Sequence, residues 1–101
     1  TGNAYEIVSI KDIVRCEADA SYTTFYLIDK RKILVSFGLK HYEELLPSND
    51  FIRVHHQHLL NMNHVIRYLK EDGGYAIMVD GSKIELSRRK KDHFLERLGN
   101  K

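Results

Sequence analysis

Five side chains able to hydrogen-bond or carry charge, Arg53, His55, His56, Gln57 and His58, fall within six positions of the stretch from Phe51 to Val65, FIRVHHQHLLNMNHV. The stretch begins as an alternating, half-buried strand, so part of the cluster stays on a wet surface. Imidazole, amide and guanidinium groups together donate to, accept from or neutralise a polar anionic ligand. A second cluster, Ser87-Arg88-Arg89-Lys90-Lys91, opens a helical segment. If folding brings both clusters to one face, that face suits a polyanion. A metal is not expected. On an extended strand His56 and His58 face one way and His55 the other, and no Cys, Asp or Glu lies in the cluster to complete four ligands.

The second cluster breaks a local rule. Unpaired N–H groups make a helix start partly positive, so it favours acids, and each exposed cation there costs about 0.3–1 kcal/mol at low salt. An Arg88–Asp92 pair would recover a few tenths of that. A phosphate partner would reverse the sign of the term, because N–H groups and cations would then act together. The plainer alternative is a solvated charge run.

Short β-type runs must position these residues. They are Tyr5 to Ile10, Ile13 to Ala18, Tyr22 to Ile28, Lys32 to Phe37, Phe51 to His56, His64 to Lys70, Tyr75 to Val79 and Lys83 to Leu86, rich in Val, Ile, Tyr and Phe. The pattern predicts an antiparallel β fold. Asp80-Gly81 signals a tight hairpin with positive φ at both residues, and residues 64–86 read as a three-stranded meander. Two segments look helical. Leu39, Tyr42, Leu45 and Leu46 recur at helical spacing until Pro47 stops them. Phe94, Leu95 and Leu98 form the apolar stripe of the last segment, with Ser87 as its N-cap and Gly99 as its stop. Asn61 and Asn63 bracket a kink, where the side chain of Asn61 satisfies buried backbone.

The 101 residues hold one domain. It is expected over 5–101, after a linker or cloning scar at Thr1-Gly2-Asn3-Ala4. Apolar content of 43% and charged content of 30% are ordinary for a globular unit. No run approaches the roughly 18 apolar residues of a membrane span, no secretory leader stands out, and the lone Cys16 excludes an internal disulfide, so the cytoplasm is expected. Net charge is only +2, but residues 51–101 hold ten Lys/Arg against six Asp/Glu and five of the six histidines. Catalysis has little support: the serines lack a strand-turn-helix elbow, Cys16 lacks an activating setting and the glycines form no phosphate loop. No enzyme activity and no cofactor are expected.

Three landmarks in order resemble the LytTR DNA-binding domain, the output module of many bacterial response regulators. Ile13-Val14-Arg15-Cys16-Glu17-Ala18-Asp19-Ala20-Ser21-Tyr22 is similar to its early strand and loop. Phe51-Ile52-Arg53-Val54-His55, followed by Leu59-Leu60-Asn61 and Ile66, is similar to its most distinctive motif, and Asp80-Gly81 through Leu86-Ser87-Arg88-Arg89 resembles its closing hairpin and basic end. The likeness runs from about Ile7 to Leu98. It implies an elongated β sandwich, mainly β with one short internal helix and a C-terminal helix, that grips double-stranded DNA through loops entering successive major grooves. Carried over by position, Ser21, Tyr22, Thr23, His55, His56, Gln57 and Arg89 are implied base contacts, and Arg53, Arg88 and Lys90 implied phosphate contacts. His56 departs from the more usual Arg or Asn and Gln57 from Ser, so the resemblance implies no base preference there. It also implies direct-repeat sites taking two copies, an upstream receiver or sensor domain, and a monomer in isolation.

The chemistry agrees. An arginine reaches guanine O6 and N7 with two parallel bonds, which favours Arg89 as the base reader, while lysines fix register on phosphates. Simpler roles remain open for several residues. His55 can serve neighbouring backbone, Arg53 can lie over apolar neighbours, Tyr22, Phe25 and Tyr26 can pack, and Lys30-Arg31-Lys32 can be an exposed hairpin tip. The competing function is a protein-interaction or oligomerisation β module whose basic segment docks an acidic partner. Single-stranded nucleic acid on exposed aromatics is weaker, because the tyrosines fall in core-like runs.

Overall fold

Period-2 apolar patterning produces eight strands and two helices in the computed structural model, which describes residue 5 and residues 7–99. The expected linker at 1–4 lies outside the described residues. The strands are β1 (Ile13–Asp19), β2 (Tyr22–Leu27), β3 (Lys32–Val35), β4 (Phe51–His55), β5 (His58–Asn61), β6 (Val65–Leu69), β7 (Tyr75–Met78) and β8 (Lys83–Glu85), with α1 (Leu39–Leu45) and α2 (Arg88–Gly99). β1 to β5 form an antiparallel sheet in the order β3-β2-β1-β5-β4, and β6-β7-β8 form the expected meander. The molecule is elongated, 45 × 24 × 22 Å.

The five-stranded sheet is buried on both faces. Val14, Ile52, Val54 and Leu60 meet Met62, Val65, Ala76, Met78, Ile84 and Leu86 of the meander side and Phe94 of α2. On the other face Ile13, Cys16, Phe25, Phe51 and Leu59 pack with Leu39 and Leu46 around α1. Alternation explains the division: Phe51 and Ile52, like Leu59 and Leu60, point to opposite cores. A register shift between Ile13 and Arg15 lets Cys16, three residues after Ile13, return to the same core. Burial pushes the Cys16 thiol up to about 12, against a smaller opposing pull from Arg15, so it stays a neutral core group.

Four expectations change. The described residues of Tyr5 to Ile10 form no strand: Tyr5 and Ile7 are exposed coil, and Ile10–Asp12 is a single 3-10 turn. Apolar residues there imitate a strand without a sheet neighbour to pair with. Second, Phe51 to His56 is followed by an unexpected strand, β5, after a His56-Gln57 turn, so His55 and His58 are cross-strand partners. Third, only Gly81 in the β7–β8 turn takes positive φ (87°). The Asp80 carboxylate instead accepts from the Ser82 backbone N–H (3.0 Å) and hydroxyl (2.6 Å). Fourth, Leu45 is exposed, which leaves Leu39, Tyr42 and Leu46 to seat α1. Asn61 behaves as expected. It is 1% exposed, donates to the Ile13 carbonyl (2.9 Å) and accepts from the Asn63 N–H (2.9 Å).

Candidate nucleic-acid interface

The two cationic stretches meet. Glu43, Arg53, His55, His56, Ser87, Arg88, Arg89 and Lys90 line one open groove of about 490 Å³. The join is made by backbone: the Ser87 N–H donates to the Val54 carbonyl (2.8 Å), which sets the start of α2 beside the end of β4. The far end of α2 is held by Arg97, whose guanidinium donates to the Ser48 (3.1 Å) and Asn49 carbonyls.

The electrostatics of the groove depend on which cations are already used. Within the groove Arg53 pairs with Glu43 (2.8 Å); elsewhere Arg15 pairs with Glu17 (2.7 Å), Arg31 with Asp29 (2.8 Å) and Lys83 with Glu71 (2.8 Å). Among the described residues, Arg88, Arg89, Lys90 and Lys91 form no ion pair, and the expected Arg88–Asp92 pair is not made. Arg88 and Arg89 are exposed and Lys90 and Lys91 half-buried. These side chains leave their charge available at a helix start, where the backbone N–H groups add to it.

The β4–β5 turn presents His56 and Gln57 to solvent. Arg53 fixes that turn from beneath: Nε donates to the His55 carbonyl (2.8 Å), Nη2 to the His56 carbonyl (2.6 Å) and Nη1 to Glu43 on α1. The guanidinium expected to bind phosphate is thus engaged by three groups of the protein itself. His55 is also mainly internal. Its side chain is 16% exposed, its Nδ1 accepts from the Gln57 N–H (3.2 Å), and its ring stacks on His56 at 4.4 Å.

The β1–β2 tip stands beside this turn, since the Ala18 N–H donates to the Gln57 carbonyl (2.9 Å) and Glu17 pairs with His58. Ser21 and Tyr22 are exposed there. Thr23 is not: it is 0% exposed, and its hydroxyl donates to the Phe37 carbonyl (3.1 Å). The β1–β2 pairing, which sends every second side chain inward, buries Thr23 between its exposed neighbours. Arg15, Tyr26 and Lys30-Arg31-Lys32 lie at the opposite end of β2, where the Arg15 guanidinium covers the Tyr26 ring at 3.7 Å. No group of three or more His, Cys, Asp or Glu among the described residues is arranged to hold a metal ion.

Residues 3–99 match the family model described as the LytTr DNA-binding domain. The chain belongs to the LytTR DNA-binding domain family. Two heme-containing CO-sensing transcriptional regulators of Paraburkholderia xenovorans strain LB400, RcoM 2 and RcoM 1, are each 29% identical to it, over 96 and 100 residues, which is 92% and 96% of this chain. The chain spans little more than a third of those relatives, 36% and 37% of their lengths. The solved LytTr DNA-binding domain of a putative methyl-accepting/DNA response regulator from Bacillus cereus shares the fold, with a TM-score of 0.85 at 23% identity over 98% of this chain and 92% of that one. This LytTR domain is thus mainly β, with two sheets and two helices, as its landmarks imply. Among its described residues no helix is long and apolar enough to cross a membrane.

His58 gives the interface a pH signature. Burial holds its imidazole below the ordinary 6.5, partly countered by Glu17 across the strand pair, and its buried Nδ1 has no partner. Above about 6.5 the ring is neutral in both the folded and unfolded chain, and its stabilising share is complete. As pH falls, the unfolded chain takes the proton first, so that share is lost as pH drops through the folded value. Thermal unfolding between pH 7.5 and 5.5 should therefore show the midpoint falling with acid, and less steeply in His58→Gln. Parallel slopes would assign the effect to another group.

Proposed function

We propose that this LytTR domain, residues 5–101, is the sequence-specific double-stranded DNA-binding output domain of a bacterial transcriptional regulator, working without catalysis or cofactor in the cytoplasm. The observation that carries this reading is the groove that unpaired Arg88, Arg89 and Lys90 line together with His56 of the β4–β5 turn. Arg89, His56, Gln57, Ser21 and Tyr22 take the base-reading roles, and Arg88 and Lys90 bind phosphate. Arg53, His55 and Thr23 position the loops that carry the readers. Two loops and a helix start, set along one end of the five-stranded sheet, suit entry into successive major grooves from one side of a duplex. Direct repeats occupied by two copies, each a monomer when isolated, complete the proposal on the strength of the family resemblance. The relatives named as CO-sensing regulators and the neighbour named as a response regulator support an upstream sensor or receiver domain in the full protein.

Selection of bound duplexes from a random pool, with polyglutamate as competitor, tests the reading. Recovery of a consensus sequence supports it. Binding that polyglutamate abolishes and that yields no consensus would instead mark an acidic-protein docking module. Lys90→Ala should weaken cognate and scrambled duplex alike and reduce the slope of log affinity against log salt by about one, the share of one phosphate contact. An unchanged slope would remove Lys90 from the phosphate role.

A further inference from the structure

Phe37 sits at φ 75°, in the left-handed region that a bulky side chain seldom enters. Two hydroxyls hold its loop there: the buried Thr23 donates to the Phe37 carbonyl (3.1 Å) and Tyr42 donates to the Ser36 carbonyl. The ring gains nothing from the core. It is 61% exposed and lies flat against His41, centroids 4.4 Å apart and planes 25° apart. A strained residue held by its surroundings, with an apolar ring turned outward, points to a ligand.

Its place in the sheet says which ligand. Thr23 pairs with Val35, so the end of β3 lies beside the start of β2, and an added Cβ at Gly38 would be 3.9 Å from the Ser21 carbonyl. Phe37, the Ser21–Tyr22 tip and the His56–Gln57 turn therefore form a row across one end of the five-stranded sheet, with the start of α2 beyond β4. Four strand spacings make that row roughly 19 Å long, more than the roughly 12 Å width of one major groove.

The geometry points to Phe37, backed by His41, as a further DNA contact at the flank of the site farthest from Arg89. The inference rests on the DNA reading above. The ring meets apolar surface of the duplex, which comes from a thymine methyl or a deoxyribose.

Phe37→Gly tests it, because glycine is at ease at this φ and the fold is retained; Phe37→Asn, also tolerant of positive φ, is the second variant. With a duplex selected by the wild-type chain, either variant should bind about tenfold more weakly, as expected for losing a partly buried ring. The salt slope should not change, since a neutral contact releases no counterions. Replacing flank thymines by deoxyuridine separates the sources: a loss seen with wild type and absent in Phe37→Gly marks a methyl, and no loss marks the sugar. Equal affinity of wild type and variants overturns the inference and leaves the DNA reading intact. So does equal affinity accompanied by altered self-association, which would give the ring to a protein contact. If the wild type selects no duplex, both fall together.

Discussion

Arg89→Ala is expected to lower affinity for the selected duplex by about 5- to 150-fold, the roughly 1–3 kcal/mol of one good bidentate guanine contact. Binding to a scrambled duplex should fall much less, because that mode draws mainly on charge spread over several cations. The midpoint of unfolding should hold or rise slightly, since the Arg89 side chain is exposed, has no partner among the described residues and is a cation at a helix start. The loss of discrimination should also concentrate at one or two base positions when selection is repeated with the variant. Equal losses on cognate and scrambled duplexes would move Arg89 from reading bases to neutralising phosphate. Arg53→Ala makes the contrasting case within the same groove. Two carbonyls of the turn and Glu43 would lose their donor together, so damage there should spread over all positions read by His56 and Gln57.

What the sequence disclosed follows from the range of the interactions involved. Strands with alternating Val, Ile, Leu and Phe were legible because a period of two is local, and so were α1, stopped by Pro47, and α2, with its Phe94-Leu95-Leu98 stripe. The His56-Gln57 turn was hidden, as it contains no Gly, Pro, Asn or Asp to announce it, and β5 was hidden with it. The Tyr5 to Ile10 segment misled for the opposite reason, carrying strand-like residues to a place with no partner strand. Around the groove, residue type and landmark spacing picked out His56, Gln57 and Arg89, the exposed side chains proposed above as base readers. The supporting roles of Arg53 and Thr23 depend on Glu43, ten residues away, and on the Phe37 carbonyl, fourteen residues away, contacts that no local pattern encodes. Phe37 itself passed for the last residue of a strand; only its backbone angle and exposure set it apart.

Phe94→Ala should cause the largest loss of stability, about 3–5 kcal/mol, the usual cost of emptying a buried phenylalanine site. That is a large share of the roughly 5–15 kcal/mol that holds a domain folded. Phe94 is 0% exposed and is the buried residue through which α2 enters the core shared by Val54, Leu86 and the meander. The neighbouring Tyr68 ring, 6.2 Å away between centroids and half-buried, can close only part of the void. Urea unfolding gives the free energy directly, and the thermal midpoint should drop by roughly 4–8 °C per kcal/mol. The consequence for binding separates scaffold from site. With Phe94 gone, the start of α2 keeps its Ser87–Val54 backbone bond and its other end keeps Arg97, but the helix between them loses its fully buried anchor and keeps only the half-buried Leu95 and Leu98. Arg88, Arg89 and Lys90 would then be displaced together, so cognate and scrambled affinity should decline in parallel even where the variant is still mostly folded. Full specific binding by a folded Phe94→Ala chain would show that the basic first turn is placed by β4 alone, and that the hydrophobic seat of α2 has no part in recognition.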